Sequence, residues 1–84
     1  MEQLKEMLQA NYPHIDFDTE KALMSDGVLD SMAVVSIIAE IENMFDISVT
    51  MEYIQPDYFE SVETMWEMIE ELQWFFFNLI PMIF

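Results

Sequence analysis

The residue whose surroundings best suit chemistry is Ser31, in the stretch Asp30-Ser31-Met32. Its hydroxyl follows an aspartate that suits a helix N-cap, at the start of the predicted second helix. Oxygens attached to a first-turn hydroxyl lie near unsatisfied backbone N–H groups and the positive end of the helix dipole, which tolerate a phosphodiester well. A serine at this place is also an ordinary helix-terminal residue, so the position permits modification without identifying it.

Few other residues could act in catalysis or bind a metal ion. His14 is the single histidine and the chain has no cysteine, which excludes a typical zinc site. No Gly-x-Ser-x-Gly elbow is present, so His14 is interpreted as an ordinary surface or loop residue. The acidic run 16–20 resembles the start of a calcium loop, but Lys21 and Gly27 stand where the EF-hand needs Gly and Glu. We therefore predict neither enzymatic activity nor a metal site.

The charge of the chain limits its partners. Seventeen acidic residues face two lysines, for a formal net charge of −15. Nucleic acid is excluded because nothing neutralises phosphates, and anionic membrane surfaces are disfavoured. A compact acidic domain is steered toward basic patches on other proteins, although an acidic surface can also serve solubility alone. The lack of cysteine and of a secretion signal at the start predicts a cytoplasmic location.

The elements that must position Ser31 are predicted to be helical. One glycine and three prolines are too few turn residues for a β-rich fold of this length. Apolar spacing predicts a first helix over 2–11, a second over 32–45 and a last helix capped by Ser61. A long loop, 13–29, joins the first two helices. A short helical turn is predicted at Pro56–Phe59 and an extended loop at 47–51.

The same spacing predicts which side chains are buried. The apolar stripe of the second helix comprises Val34, Ile37, Ile38, Ile41, Met44 and Phe45. The buried face of the last helix comprises Val62, Met65, Trp66, Ile69 and Leu72. The residues expected to anchor the long first loop to the core are Ile15, Phe17, Leu23 and Val28.

The stretch Asp26-Gly27-Val28-Leu29-Asp30-Ser31-Met32 resembles the phosphopantetheine attachment motif of acyl carrier proteins, commonly Asp-Ser-Leu after an acidic-glycine turn. Met32 replaces the usual leucine and preserves apolar volume. The resemblance runs from the first helix through Leu72, including the long first loop and the Phe45-Asp46 exit of the second helix. It implies an all-α, acyl-carrier-like four-helix bundle, with three long helices and one short, over residues 1–73.

The resemblance implies a carrier rather than an enzyme. Ser31 would receive 4′-phosphopantetheine from coenzyme A through a separate, magnesium-dependent phosphopantetheinyl transferase. The thiol of this arm would hold an acyl or aminoacyl group as a thioester, so the cofactor would supply the thiol that a chain without cysteine lacks. Asp30 would help the transferase engage. Met32, Val35 and Glu42 would contact the loading ligase and acceptor enzymes, with core packing as the alternative for Met32 and Val35.

Two further interpretations remain open. Ala33 and Ser36 occupy places that are often acidic in fatty-acid carriers, and the segment 46–72, with Met51-Glu52-Tyr53 and Tyr58-Phe59, is similar to D-alanyl carrier proteins. Those proteins accept D-alanine from an adenylating ligase for modification of teichoic acids. The other interpretation is an unmodified helical adaptor of the same fold, which binds a partner through its acidic second helix and its aromatic tail.

The C-terminal tail, residues 74–84, lies beyond the usual end of the family. It contains one polar residue, Asn78, in the run WFFFNLIPMIF. Eleven residues are too few to span a bilayer as a helix, which takes about twenty. The alternatives are packing on its own domain, docking on a partner or a membrane interface, and self-association into a homodimer. We expect packing or self-association.

Overall fold

The computed structural model describes the backbone of residues 1–83 and the side chains of residues 1–75. The described backbone is all helical and contains no strand. Its elements, in chain order, are α1 (Glu2–Asn11), α2 (Ser31–Phe45), two short 3₁₀ helices (Met51–Tyr53 and Pro56–Phe59) and α3 (Val62–Ile83). The all-α prediction is therefore confirmed with three α-helices. The helical turn predicted at Pro56–Phe59 is a four-residue 3₁₀ helix, not a fourth α-helix.

The C-terminal ends of α1 and α2 follow local sequence signals. Helix α1 ends at Asn11 because Pro13 disfavours a helical conformation at the preceding Tyr12, whose backbone has φ −132° and ψ 67°. Helix α2 ends at Phe45, and its C-cap Asp46 adopts the left-handed conformation at φ 53° and ψ 48°. Aspartate is one of the few non-glycine residues that visit this region readily. The chain then runs without regular structure to the first 3₁₀ helix.

The core forms where the three helices and the two long loops meet. Its buried side chains are Leu4 and Leu8 from α1; Val34, Ile37 and Ile41 from α2; Val62, Met65, Met68, Ile69 and Leu72 from α3; and Ile15, Phe17, Leu23, Leu29, Ile47, Val49 and Phe59 from the connections. Ile38, Phe45 and Trp66 pack against this core while partly exposed. Side chains of the long first loop therefore pack into the core.

Two predicted core positions need correction, and one buried residue was not predicted. Val28 is 37% exposed, and its neighbour Leu29 is buried in its place at the end of the turn that Leu23 closes. Met44 is also 37% exposed, so the buried stripe of α2 does not extend to its last turn. Met68 is completely buried although the sequence analysis did not select it; it lies one turn after Met65 on α3.

Two ion pairs fasten the long first loop to helices. Lys5 on α1 pairs with Asp18 in the loop. Lys21 in the loop pairs with Glu63 on α3, with Nζ and Oε1 2.7 Å apart. The side chains of both pairs are largely solvent-exposed, so each pair contributes little stability. Together, however, they pair both lysine side chains of the chain with carboxylates.

Helix α3 continues without interruption past residue 73, where the sequence analysis placed the end of the carrier domain. Its 22 residues correspond to about 33 Å of helix. Trp74 and Phe75 are exposed, and their rings meet edge to face with centroids 5.5 Å apart. No helix among the described residues has the length and apolarity needed to cross a bilayer. The role predicted for the tail rests on side chains 76–84, which lie outside the described residues.

Candidate functional site

Ser31 is the first residue of α2, and Asp30 caps the helix before it. Asp30 is extended (φ −104°, ψ −179°), and its Oδ1 accepts a hydrogen bond from the Ala33 N–H at 2.8 Å. Its backbone carbonyl accepts the first helical bond, from the Val34 N–H at 3.0 Å. The predicted N-cap is therefore confirmed. It fixes the direction in which the chain enters the helix and so the position of Ser31.

The Ser31 hydroxyl is accessible and unengaged. Ser31 is exposed, and no hydrogen bond from any described side chain or backbone group reaches its Oγ. The N–H groups of Ser31 and Met32 belong to the first helical turn, where no carbonyl of the helix itself can accept them. An oxygen bonded to Ser31 would lie beside these donors and the positive end of the helix dipole. The site can thus hold a phosphoryl group attached to Ser31.

A compact turn delivers the chain to Ser31. The Leu23 carbonyl accepts hydrogen bonds from both the Val28 and the Leu29 N–H, each at 2.9 Å. Gly27, which lies between Leu23 and Val28, has φ +70°, in the left-handed region that glycine adopts without strain. The N–H of Gly27 donates to the Met24 carbonyl at 3.1 Å, which closes the turn. Gly27 is therefore required by its backbone conformation rather than by lack of space.

The turn is fastened to the start of α3 by Glu60. The Glu60 Oε1 accepts the backbone N–H groups of Met24 and Ser25 at 2.6 and 2.8 Å, and Oε2 accepts the Ser25 hydroxyl. The Glu60 carbonyl accepts the Leu23 N–H at 2.9 Å. The Ser25 hydroxyl, followed by these N–H donors, lowers the pKa of Glu60 because all of them favour the charged carboxylate. Sequence reasoning missed Glu60, since a glutamate before a helix carries no local sign of such a distant contact.

Met32 and Val35 form an exposed apolar face next to Ser31. Met32 is 81% exposed and Val35 is 65% exposed. They stand three residues apart on α2 and so share one side of the helix. Core packing, the alternative considered for both, is thereby excluded. Their exposure keeps both residues accessible, and the partner contact expected of them stays a prediction.

Glu42 has a local structural partner. Its Oε2 accepts the Val49 N–H at 2.9 Å, which ties the segment after α2 back to the helix, and the side chain is half-buried. Two exposed residues of the same helix, Ser36 and Glu40, are more accessible than Glu42. Of the expected partner contacts, Met32 and Val35 are fully available, whereas Glu42 is partly committed to the fold.

The other chemically interesting residues do not assemble into a site. His14 is exposed, and its ring meets Tyr12 edge to face, with centroids 6.5 Å apart. In the acidic run 16–20, the Asp16 Oδ1 accepts the Asp18 N–H at 3.1 Å, so the run forms a turn of its own. Within the described residues, no group of three or more histidine, aspartate or glutamate side chains could hold a metal ion.

Comparison with known proteins adds no further information. No protein-family model, curated protein or solved structure matches the chain. The resemblance to acyl carrier proteins therefore depends on the residues of this chain alone, chiefly the stretch 26–32 and the helical order around it.

Proposed function

We propose that this protein is an acyl carrier that is modified with 4′-phosphopantetheine on Ser31 and delivers a thioester-bound acyl or aminoacyl group to partner enzymes. The chain itself performs no catalysis in this account. The observation that carries the proposal is the exposed, unbonded hydroxyl of Ser31 at the first position of a capped helix.

The local geometry suits the proposed modification. A transferase must bring an activated phosphoryl group to the serine oxygen, and nothing in the described structure covers Ser31. In the attachment step a bond forms between the Ser31 oxygen and the phosphorus of coenzyme A. The phosphoanhydride bond breaks, the adenosine bisphosphate leaves, and a base of the transferase takes the serine proton. Once attached, the arm supplies a terminal thiol for thioester chemistry.

This chain's own residues hold the attachment point in place. Asp30 fixes the first turn of α2, while Gly27 and Glu60 shape and anchor the turn before it. Because the serine is already held in one position, the transferase has a smaller entropic cost to align it for reaction. Residue 31 is therefore presented on a rigid element although the chain before it is a loop.

The surface around Ser31 favours protein partners with basic patches. Met32 and Val35 offer apolar contact, and the formal net charge of −15 steers the domain toward positive surfaces. The proposed partners are the phosphopantetheinyl transferase, an acyl- or aminoacyl-loading ligase and the acceptor enzymes. The D-alanyl carrier subtype remains a narrower form of the same proposal, based on the similarity of residues 46–72.

A second candidate is an unmodified helical adaptor. Trp74 and Phe75 favour it, because these two large aromatic side chains remain exposed on α3 beyond the packed core. An adaptor would bind its partner equally well with Ser31 replaced by alanine. A carrier would lose thioester loading completely with the same replacement.

The test is co-expression of the chain with a broad-specificity phosphopantetheinyl transferase, followed by intact mass measurement and reaction of the product with a thiol reagent. The carrier proposal expects the mass of one phosphopantetheine and one reactive thiol in a chain that has no cysteine. A folded chain that gains neither mass nor thiol supports the adaptor.

A further inference from the structure

A cleft of about 300 Å³ lies between the C-terminal end of α1 and the middle of α2. Its lining residues are Met7, Asn11, Tyr12, Ser36, Ile37 and Glu40. This volume is at the lower end of the range for small-molecule pockets, about 300–1,000 Å³, so the cleft suits one side chain better than a cofactor. Nothing in the proposed carrier function uses it.

The cleft presents hydrogen-bond acceptors around an apolar base. The Asn11 Nδ2 donates to the Met7 carbonyl at 2.8 Å, which leaves its Oδ1 as the free end of the amide. The hydroxyls of Tyr12 and Ser36 can also accept, and the Glu40 carboxylate carries a full negative charge. Ile37 is buried, and Met7 is partly buried against the same core, so these two supply apolar contact.

The charge of the cleft selects a cation. Glu40 is exposed on α2 and makes no ion pair with a described residue, and no lining residue is cationic. The only two cationic side chains of the chain, Lys5 and Lys21, are engaged elsewhere with Asp18 and Glu63. An anionic ligand would meet unbalanced negative charge here, whereas a cation would meet complementary charge.

Among cations, a guanidinium group matches the lining best. Its planar fork has five N–H donors, which can serve several separate acceptor oxygens at once. Its alkyl stem can contact Met7 and Ile37, and Tyr12 offers an aromatic ring, on which arginine stacks more often than lysine. We propose that this cleft is a docking site for a single arginine side chain of a partner protein. The proposal holds whether or not Ser31 is modified.

Nuclear magnetic resonance titration of the ¹⁵N-labelled full chain tests this site. The probe is N-acetylargininamide, and the matched ligand is N-acetylcitrullinamide, which has a similar shape without the charge. We expect shifts centred on Met7, Tyr12 and Ile37 with the arginine ligand only. Glu40→Gln is expected to weaken binding about two- to fivefold, as for one exposed ion pair. Glu67→Gln, an equal charge change on α3, is expected to leave binding unchanged.

A second variant and a second ligand complete the test. Ser36→Lys places a cation at the exposed rim of the cleft and should abolish the shifts without disturbing the core. A short peptide with one arginine between apolar residues should bind more tightly than the amino-acid amide, because a protein side chain brings neighbouring contacts. Four results would each overturn the proposal. They are equal shifts with the citrulline ligand, an equal loss of affinity in both glutamate variants, no shift with the arginine ligand, and a peptide that binds no more tightly than the amide.

Discussion

The Glu60 carboxylate accepts both the backbone N–H and the hydroxyl of Ser25, a residue thirty-five positions earlier in the chain. This contact joins Glu60, two residues before α3, to the turn that leads into α2. The turn then determines where Leu29 packs into the core and where Ser31 lies on the surface. The position of the proposed attachment site therefore depends on a residue far from it in sequence.

Replacement of Glu60 by glutamine is expected to lower the melting temperature near neutral pH. Hydrogen bonds from the Ser25 hydroxyl, and then from backbone N–H groups, hold the pKa of Glu60 below its ordinary value of 4.5. The folded state thus binds this proton less readily than the unfolded chain, so the carboxylate stabilises the fold above that pH. Its contribution is lost as the pH falls through the lowered pKa. Glutamine keeps one acceptor oxygen and no charge.

Thermal unfolding of the parent and the Glu60→Gln variant from neutral to acidic pH checks this prediction. The two curves should differ most at neutral pH and converge well below the ordinary pKa of 4.5. Glu67→Gln is the control, because Glu67 is exposed on α3. A gap that stays constant down to strongly acidic pH would show that Glu60 does not act through its charge.

Gly27→Ala is expected to destabilise the fold by about 1–2 kcal/mol, the usual cost of the left-handed conformation for an L-residue. The substitution isolates backbone strain, because a Cβ at residue 27 would meet no atom within 4 Å. Gly27→Asn should cost less, since asparagine visits this conformation more readily. Urea unfolding of both variants measures the difference, and an alanine variant as stable as the parent would contradict the role given to Gly27.

Asp30→Ala is expected to reduce stability by about 1 kcal/mol, because it removes the oxygen that accepts the Ala33 N–H. Asp30→Asn keeps a capping oxygen and should retain most of that stability. Any role of the Asp30 charge in transferase recognition would then appear as slower Ser31 modification in a stable Asp30→Asn protein. Denaturant unfolding and the rate of Ser31 modification, measured on both variants, separate the two roles. An Asp30→Ala protein as stable as the parent would contradict the capping role of Asp30.

Two methionines should respond in opposite ways to the same substitution. Met68 is completely buried in the core, so Met68→Ala should cost about 2–5 kcal/mol. Met32 is 81% exposed, so Met32→Ala should change stability by no more than about 0.5 kcal/mol. If Met32 contacts the transferase, Met32→Ala should slow the attachment of phosphopantetheine to Ser31 although the stability of the fold is unchanged. Similar stability losses in the two variants would contradict the assigned packing.

The sequence predicted the helices well because their signals are local. Apolar spacing, the Asp30 cap and the proline after α1 each act within one or two turns, and the structure has all of them. The errors concern burial of single side chains, at Val28 in the long first loop, Met44 in the last turn of α2 and Met68 in α3, because burial depends on tertiary neighbours. Glu60 could not be found, because its partners become neighbours only when the long first loop folds onto α3.

The boundary predicted at residue 73 between the carrier domain and the tail does not coincide with the end of a helix. The resemblance to carrier proteins ended there, but the sequence after Leu72 has no glycine or proline before Pro81. Apolar and aromatic residues continue without glycine, and α3 extends to Ile83. The exposure of Met32 and Val35 could be expected from helical spacing, whereas the cleft between α1 and α2 required the packed structure.

The measurement that tests the central claim most directly is the intact mass of the purified chain after incubation with coenzyme A, magnesium and a phosphopantetheinyl transferase. Ser31→Ala is the loss variant, and Ser36→Ala is the matched control on the same helix. The carrier account predicts a gain of one phosphopantetheine in the parent and in Ser36→Ala, and no gain in Ser31→Ala. A folded parent that gains nothing, or a Ser31→Ala protein that gains as much as the parent, would contradict it.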